Sequence, residues 1–153
     1  MRRVLLAGAL AASAAVAAFV VPWEGNELAP YRDIVGVWTV CAGVTGPAAK
    51  PGRTYSEAEC NRLNTDAVAA HLRGVAVCIH RPLTENEWVA VGSWAYNVGV
   101  PRACDSTLVR QINAGAAPEV WCRQLLRWDY ANGRKVRGLT RRRQAEYQMC
   151  IGG

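Results

Sequence analysis

At 153 residues the chain has room for one domain with a real core and none for a second of ordinary size. A formal charge of +6 favours an anionic partner, such as nucleic acid, anionic lipid or an acidic wall polymer, but no zinc-finger spacing or aromatic-interleaved motif accompanies the arginines, which argues against nucleic acid. Six cysteines without a Cys-x-x-Cys pair point to disulfides and an oxidising compartment, and His71 and His80 sit far from any metal-ligand spacing, so no metal or other cofactor is expected.

The chain opens Met1-Arg2-Arg3 and continues with 20 uncharged residues, Val4 to Trp23. As one helix at about 1.5 Å per residue this stretch is long enough for a bilayer, with its N-terminus in the cytoplasm. From Val4 to Val21, however, ten of 18 residues are Ala, Gly or Ser. Alanine contributes far less than leucine to membrane transfer, so such a helix is held weakly. A signal peptide cleaved near Ala15-Val16-Ala17 and a marginal, uncleaved anchor are both compatible with this composition, and composition alone favours the first.

Leu28 to Thr45 lacks helical periodicity and is rich in Val, Trp, Tyr and Thr around Gly36, which predicts a short β-hairpin or meander. Thr54-Tyr55-Ser56-Glu57 reads as a capping box opening a helix that ends at Gly74. Thr84-Glu85-Asn86-Glu87 is a second box, whose helix stops near Asn97-Val98-Gly99. Asp105 or Ser106 caps a short helix carrying Leu108 and Ile112. Pro118 starts another, with Trp121, Leu125 and Trp128 on one face, closing at Asn132-Gly133. A last helix begins near Thr140 and contains Cys150. The class is α+β, a small β element beside a mainly helical lobe. Trp88, Trp94, Trp121 and Trp128 at helical spacing are core residues before they are sugar platforms. The C-terminal arginines, including Arg141-Arg142-Arg143, read equally as an anion-binding surface or as a solvated helix face.

Chemistry concentrates where the apolar stretch ends. Glu24, Asp33 and Thr39 offer two carboxyl groups and a hydroxyl on one short segment. Glycoside hydrolysis needs one carboxyl to protonate the leaving oxygen and a second to activate water or stabilise charge on the sugar. Glu24 beside Trp23 is placed for desolvation, which favours a protonated carboxyl, whereas Asp33 in a polar turn stays ionised and Thr39 can orient a water. Glu27 competes for the acid role, its simpler reading being a surface carboxylate.

Glu24-Gly25, Tyr31-Arg32-Asp33 and Gly36-Val37-Trp38-Thr39-Val40-Cys41 resemble the Glu-x8-Asp-x5-Thr signature of phage-type lysozymes, the endolysins of lambdoid-like phages. The likeness continues through Pro82-Leu83-Thr84, Tyr96-Asn97-Val98-Gly99, Leu126-Arg127-Trp128 and Gly138-Leu139, Arg142-Arg143 and Glu146. It implies a lysozyme-like fold and hydrolysis of the β-1,4 bond between N-acetylmuramic acid and N-acetylglucosamine in peptidoglycan, causing host lysis. Glu24 is then the general acid, Asp33 the second carboxylate and Thr39 the water-positioning residue.

The start of the chain resembles signal-anchor-release endolysins. That favours residues 1–23 as an anchor over a signal peptide, with 24–153 as the catalytic domain, held at the host inner membrane and released to the periplasm. A holin or pinholin partner follows from the family alone, and a monomer is the default. Two departures stand out: Val44 occupies a position where the family carries histidine, and no cysteine precedes Cys41, so activation by thiol exchange with an anchor cysteine is not available. Competing readings are a non-catalytic peptidoglycan-binding protein of the same fold and a cationic membrane disruptor. In the expected layout the cysteines pair as Cys41–Cys60, Cys78–Cys104 and Cys122–Cys150.

Overall fold

Residues 2–24 form two helices, α1 (Arg2–Ala11) and α2 (Ser13–Glu24), bent by 48° at Ala12, where one straight helix was expected. The structure, a computed structural model, describes residues 1–152; among them no single helix is long and apolar enough to cross a membrane, although the bent pair together meets the length and composition of a broken span. The Ser13 hydroxyl donates to the Leu10 carbonyl at 2.7 Å, a back-bond that bends helices. Leu5, Ala9, Ala12, Val16, Ala17 and Val20 form a buried seam at helical spacing, facing α3 (Glu57–Cys78) and α4 (Glu85–Val98). Small residues let these helices approach closely. A Cβ on Gly92 of α4 would lie 2.9 Å from Leu72 and 3.0 Å from Val16, and one on Gly8 would lie 3.4 Å from Trp88 Nε1.

After α2 the chain enters an antiparallel sheet in the order β1 (Glu27–Arg32), β2 (Trp38–Cys41), β3 (Val44–Thr45). Tyr31 faces Thr39 and Arg32 faces Trp38 across the first pair. Val40, Cys41, Val44, Ala49, Tyr55 and Cys60 make a small core beneath it. The long helix α3 joins this lobe to the main one, since Cys60 belongs to the small core and Val68, Leu72 and Val75 to the large.

The first capping box is shifted from its expected place. Ser56, not Thr54, caps α3: its hydroxyl accepts from the Glu59 amide at 3.2 Å, and the Glu59 carboxylate accepts from the Ser56 amide at 2.8 Å. Both motifs fit the pattern, and only the second places its Glu on the third helical residue. The helix also runs through Gly74, whose missing side chain admits Val100; a Cβ there would lie 3.0 Å from it. The Thr84–Glu87 box of α4 forms as expected.

An unexpected short helix α5 (Val100–Cys104) precedes α6 (Thr107–Asn113), which Ser106 caps. The helix expected from Pro118 is only one turn, α7 (Pro118–Trp121), continued as a 3-10 segment over Cys122–Arg127. Asn132-Gly133 then turns a hairpin of β4 (Tyr130–Ala131) and β5 (Arg134–Lys135), both turn residues at positive φ, as a tight two-residue hairpin requires. The final helix α8 (Arg137–Ile151) starts slightly before Thr140. Trp88, Trp94 and Trp121 are core; Trp128 is partly buried, edge-on to Trp94 at 5.3 Å. All three expected disulfides are present.

Candidate active site

Glu24 is the last residue of α2. It lines a cleft of about 420 Å³ with Pro22, Trp23, Asn97, Val136, Gly138, Leu139, Arg141 and Arg142. The apolar enclosure expected beside Trp23 is absent. Trp23 is exposed, the Glu24 side chain is 26% exposed, and Glu24 Oε1 forms an ion pair with Arg142 Nη1. Glu24 Oε2 has no protein hydrogen bond among the described residues, so one oxygen is anchored while the other is available to substrate.

Behind that contact lies a buried polar network that the sequence reading assigned to the surface. Arg142 Nε donates to Glu146 Oε1 at 3.2 Å, and Arg142 Nη2 donates to the Ser93 carbonyl at 3.0 Å. The Ser93 hydroxyl donates to Glu146 Oε1 at 2.6 Å. Arg143 Nη2 donates to the same oxygen at 3.0 Å, and its Nε lies 2.8 Å from Glu146 Oε2, close enough for an ion pair but too poorly aligned for a hydrogen bond. Arg142 is 3% exposed, and Arg143 and Glu146 are 0%. Of the expected basic face, therefore, Arg142 and Arg143 are neither solvated nor free for a ligand.

Burial pushes the Arg143 guanidinium down to about 10, against the attraction of Glu146. Burial likewise raises Glu146, opposed by Arg143, the Ser93 hydroxyl and Arg142. The single carboxylate of Glu146 faces two arginines, and Glu24 supplies the second negative charge of the group. Buried charges of one sign are costly when unpaired, so Arg142 holds Glu24 as firmly as Glu24 steadies Arg142.

Asp33 and Thr39 occupy the β1–β2 hairpin that follows Glu24, and neither lines the cleft wall described above. Asp33 Oδ1 accepts from the Val35 amide at 3.0 Å and the Val37 amide at 2.8 Å, while the Asp33 amide donates to the Val37 carbonyl at 3.0 Å. The carboxylate thus builds its own turn, leaving Oδ2 without a protein partner among the described residues. Thr39 is buried, and its hydroxyl donates to the Val37 carbonyl at 3.1 Å. Asp33 and Thr39 share Val37 as a partner, which ties their positions to one turn. Glu27 is exposed on β1 and makes no ion pair among the described residues, fitting a surface carboxylate. Val44, where histidine was expected, is apolar filling in the small core.

Tyr96 couples the two lobes. Its hydroxyl donates to the Ala42 carbonyl at 2.8 Å, and its ring lies 4.7 Å from that of His71. Burial, then the nearby Glu24 charge, pushes its phenol up to about 12. Asn64 acts similarly, accepting from the Ala42 amide at 2.9 Å and donating to Asn26 Oδ1 at 3.2 Å, so the link from α2 into β1 is fastened to α3. In the sequence Tyr96, Arg142 and Glu146 are landmarks of the resemblance without a role of their own, and Ser93 carries no signal. A run of arginines looks like surface until the acid three and four residues on is seen to fold beneath them.

The model of the family described as phage lysozyme matches residues 21–146. The SAR-endolysins of Enterobacteria phages PA-2 and P21 are each 42% identical over 130 residues, spanning 85% of this chain and 78% of theirs. Among solved structures, the endolysin from Escherichia coli O157:H7 phage FAHEc1 superposes with a TM-score of 0.76 at 28% identity, covering 89% of this chain and 90% of that one.

Proposed function

The chain belongs to the phage lysozyme family, and from that premise we propose how its residues divide the work of an endolysin. It is a glycoside hydrolase, a muramidase that cleaves the glycan of peptidoglycan. Glu24 is the general acid: anchored through Oε1 by Arg142, it offers Oε2 to the glycosidic oxygen at the cleft. Asp33 is the second carboxylate, with Oδ2 free for water or for the charge that develops on the sugar. Thr39 positions the attacking water from the neighbouring strand. The water then adds to the far face of the ring and inverts the anomeric centre. The observation that carries this reading is the placement of Glu24 on the cleft wall, clamped by a buried arginine network.

Residues 4–23 serve first as a membrane anchor with the N-terminus in the cytoplasm, while residues 24–153 carry the catalytic fold, a monomer on the periplasmic side. A holin or pinholin that collapses the potential is the partner for release. In support, the seam Leu5, Ala9, Ala12, Val16, Ala17 and Val20 is buried against α3 and α4 and would be free to face lipid only if α1 and α2 left the body. Arg2, Arg3 and the α-amine are drawn inward by roughly 2.3 kcal/mol per charge per 100 mV, and depolarisation removes that hold. Glu24, as the end of α2, reaches Arg142 only when the helix is docked.

Turbidity loss on outer-membrane-permeabilised Gram-negative cells tests the catalytic reading. Glu24→Gln should lower the rate by roughly 10²–10⁴-fold with the fold retained, because an amide cannot donate the proton. Near wild-type lysis by that variant would point to membrane disruption instead. No lysis by the wild type would point to a wall-binding protein.

A further inference from the structure

We propose that α1 and the C-terminal half of α3 form a docking face for an anionic phospholipid bilayer, on which the released enzyme sits with its cleft turned away. The proposal rests on the reading that residues 1–23 stay with the released protein, folded as the structure shows them.

Arg2, Leu6, Arg73, Ala76 and Val77 line a trough of about 280 Å³ between the two helices, and no acid is among them. Of its lining, Leu6 is 38% and Val77 68% exposed, and Met1, beside Arg2, is 87% exposed. Arg2 and Arg73 form no ion pair among the described residues, so no carboxylate neutralises the trough. With the α-amine of Met1, Arg2 and Arg73 bring three positive charges beside the exposed apolar side chains of this face.

That pattern selects its partner. A small anion would satisfy the guanidinium groups and leave Met1, Leu6 and Val77 in water. A bilayer of anionic lipid offers phosphates to the arginines and, just below, hydrocarbon for the apolar tips, while the arginine stems lie along the boundary. Apolar insertion and basic charge together supply the two signals that stable peripheral binding requires.

Orientation follows from the chain itself. Arg2 begins α1 and Glu24 ends α2, so the two residues are roughly 30 Å apart along helices of 10 and 12 residues bent by 48°. Contact through the first turns of α1 therefore keeps Glu24 distant from the bilayer surface. The surface differs from the anchored state, because Arg73 and Val77 belong to α3 and join the face only when α1 has folded onto the body.

Purified full-length protein, checked by intact mass, is to be co-sedimented with vesicles of phosphatidylglycerol and phosphatidylethanolamine, and with vesicles of phosphatidylcholine alone. Preferential, salt-sensitive binding to the anionic vesicles is expected. Arg73→Glu should weaken it about 25-fold, since reversal shifts the charge by two units and each unit near the surface is worth about fivefold. Val77→Asp should weaken it as well, and both variants should keep wild-type turbidity loss on permeabilised cells. Equal binding by wild type and both variants would mean that the N-terminal segment re-inserts instead of docking, and would overturn the proposal; so would equal binding to the two vesicle types. Failure of the underlying release reading appears separately, as a mass lacking the residues before the small-residue cleavage site.

Discussion

Glu24 and Arg142, 118 positions apart, form one ion pair between the end of α2 and the middle of α8. The pair makes the placement of Glu24 depend on helices from both ends of the chain. A helix from the first two dozen residues delivers the carboxyl group, and the last helix, backed by Glu146 and Ser93, receives it. The N-terminal segment is thus a structural part of the enzyme in the folded state.

Removing the receiver should therefore cost activity and stability together. Arg142→Ala leaves Glu24 unanchored and takes one of two arginines from Glu146, a broken buried network expected to cost about 3–5 kcal/mol. Arg142→Lys keeps a charge but cannot bridge Glu24, Glu146 and Ser93 at once, so kcat should fall further than the melting temperature accounts for. Steady-state kinetics beside thermal unfolding separates the two effects.

Close packing of α2 on α4 makes a second prediction. Gly92→Ala would place a methyl group 2.9 Å from Leu72 and 3.0 Å from Val16, both buried. Overpacking costs about 1–3 kcal/mol and the gain in helix propensity returns up to about 1, so the net effect should be a loss of about 1–2 kcal/mol. Urea unfolding measures it, and activity should decline with it because the displaced helix carries Glu24.

The Cys122–Cys150 bridge spans 28 positions and ties the 3-10 segment to α8. Replacing both cysteines by serine should cost about 3–4 kcal/mol on the chain-entropy model. Because α8 carries Arg142, Arg143 and Glu146, the variant should also lose activity below its melting temperature. Calorimetry and turbidity assays on one preparation compare the two.

Acid sensitivity has an identifiable contributor in Asp129. Burial alone would raise its carboxyl, but the Thr140 hydroxyl at 2.9 Å and Lys135 at 3.2 Å outweigh it and hold it below its ordinary value of 3.8. A carboxyl lowered on folding contributes stability that is present above the unfolded value and lost as pH falls through the folded one. Asp129→Asn should thus destabilise the protein near neutrality, and the gap to wild type should shrink below 3.8. Melting curves across that range show whether it does.

Much of this site is legible from local patterns. Glu24, Asp33 and Thr39 sit in one short segment that carries the family resemblance behind their proposed roles, and the Thr84 box with Glu87 is a contact within one turn. What escapes is tertiary. Arg142 reads as surface because its partner Ser93 lies 49 positions away and brings α4 beneath α8. Asn132-Gly133 ends a helix and turns a hairpin with equal ease, so β4 and β5 stay hidden until Val136 bonds back to Asp129. The bend at Ala12 has only a serine as its signal, and an alanine-rich stretch is as consistent with a straight helix.

Docking of the N-terminal segment and delivery of Glu24 to Arg142 are one event in the folded chain. Ala11, Ala14 and Ala18 lie on the exposed side of the two helices, so leucine there strengthens membrane retention without disturbing the buried seam. The triple variant Ala11→Leu, Ala14→Leu, Ala18→Leu should stay in the membrane fraction and delay lysis of the producing culture after depolarisation. Extracted and purified, it should hydrolyse permeabilised cells at the wild-type rate. Lysis on the wild-type schedule, with the variant still in the membrane fraction, would contradict the claim.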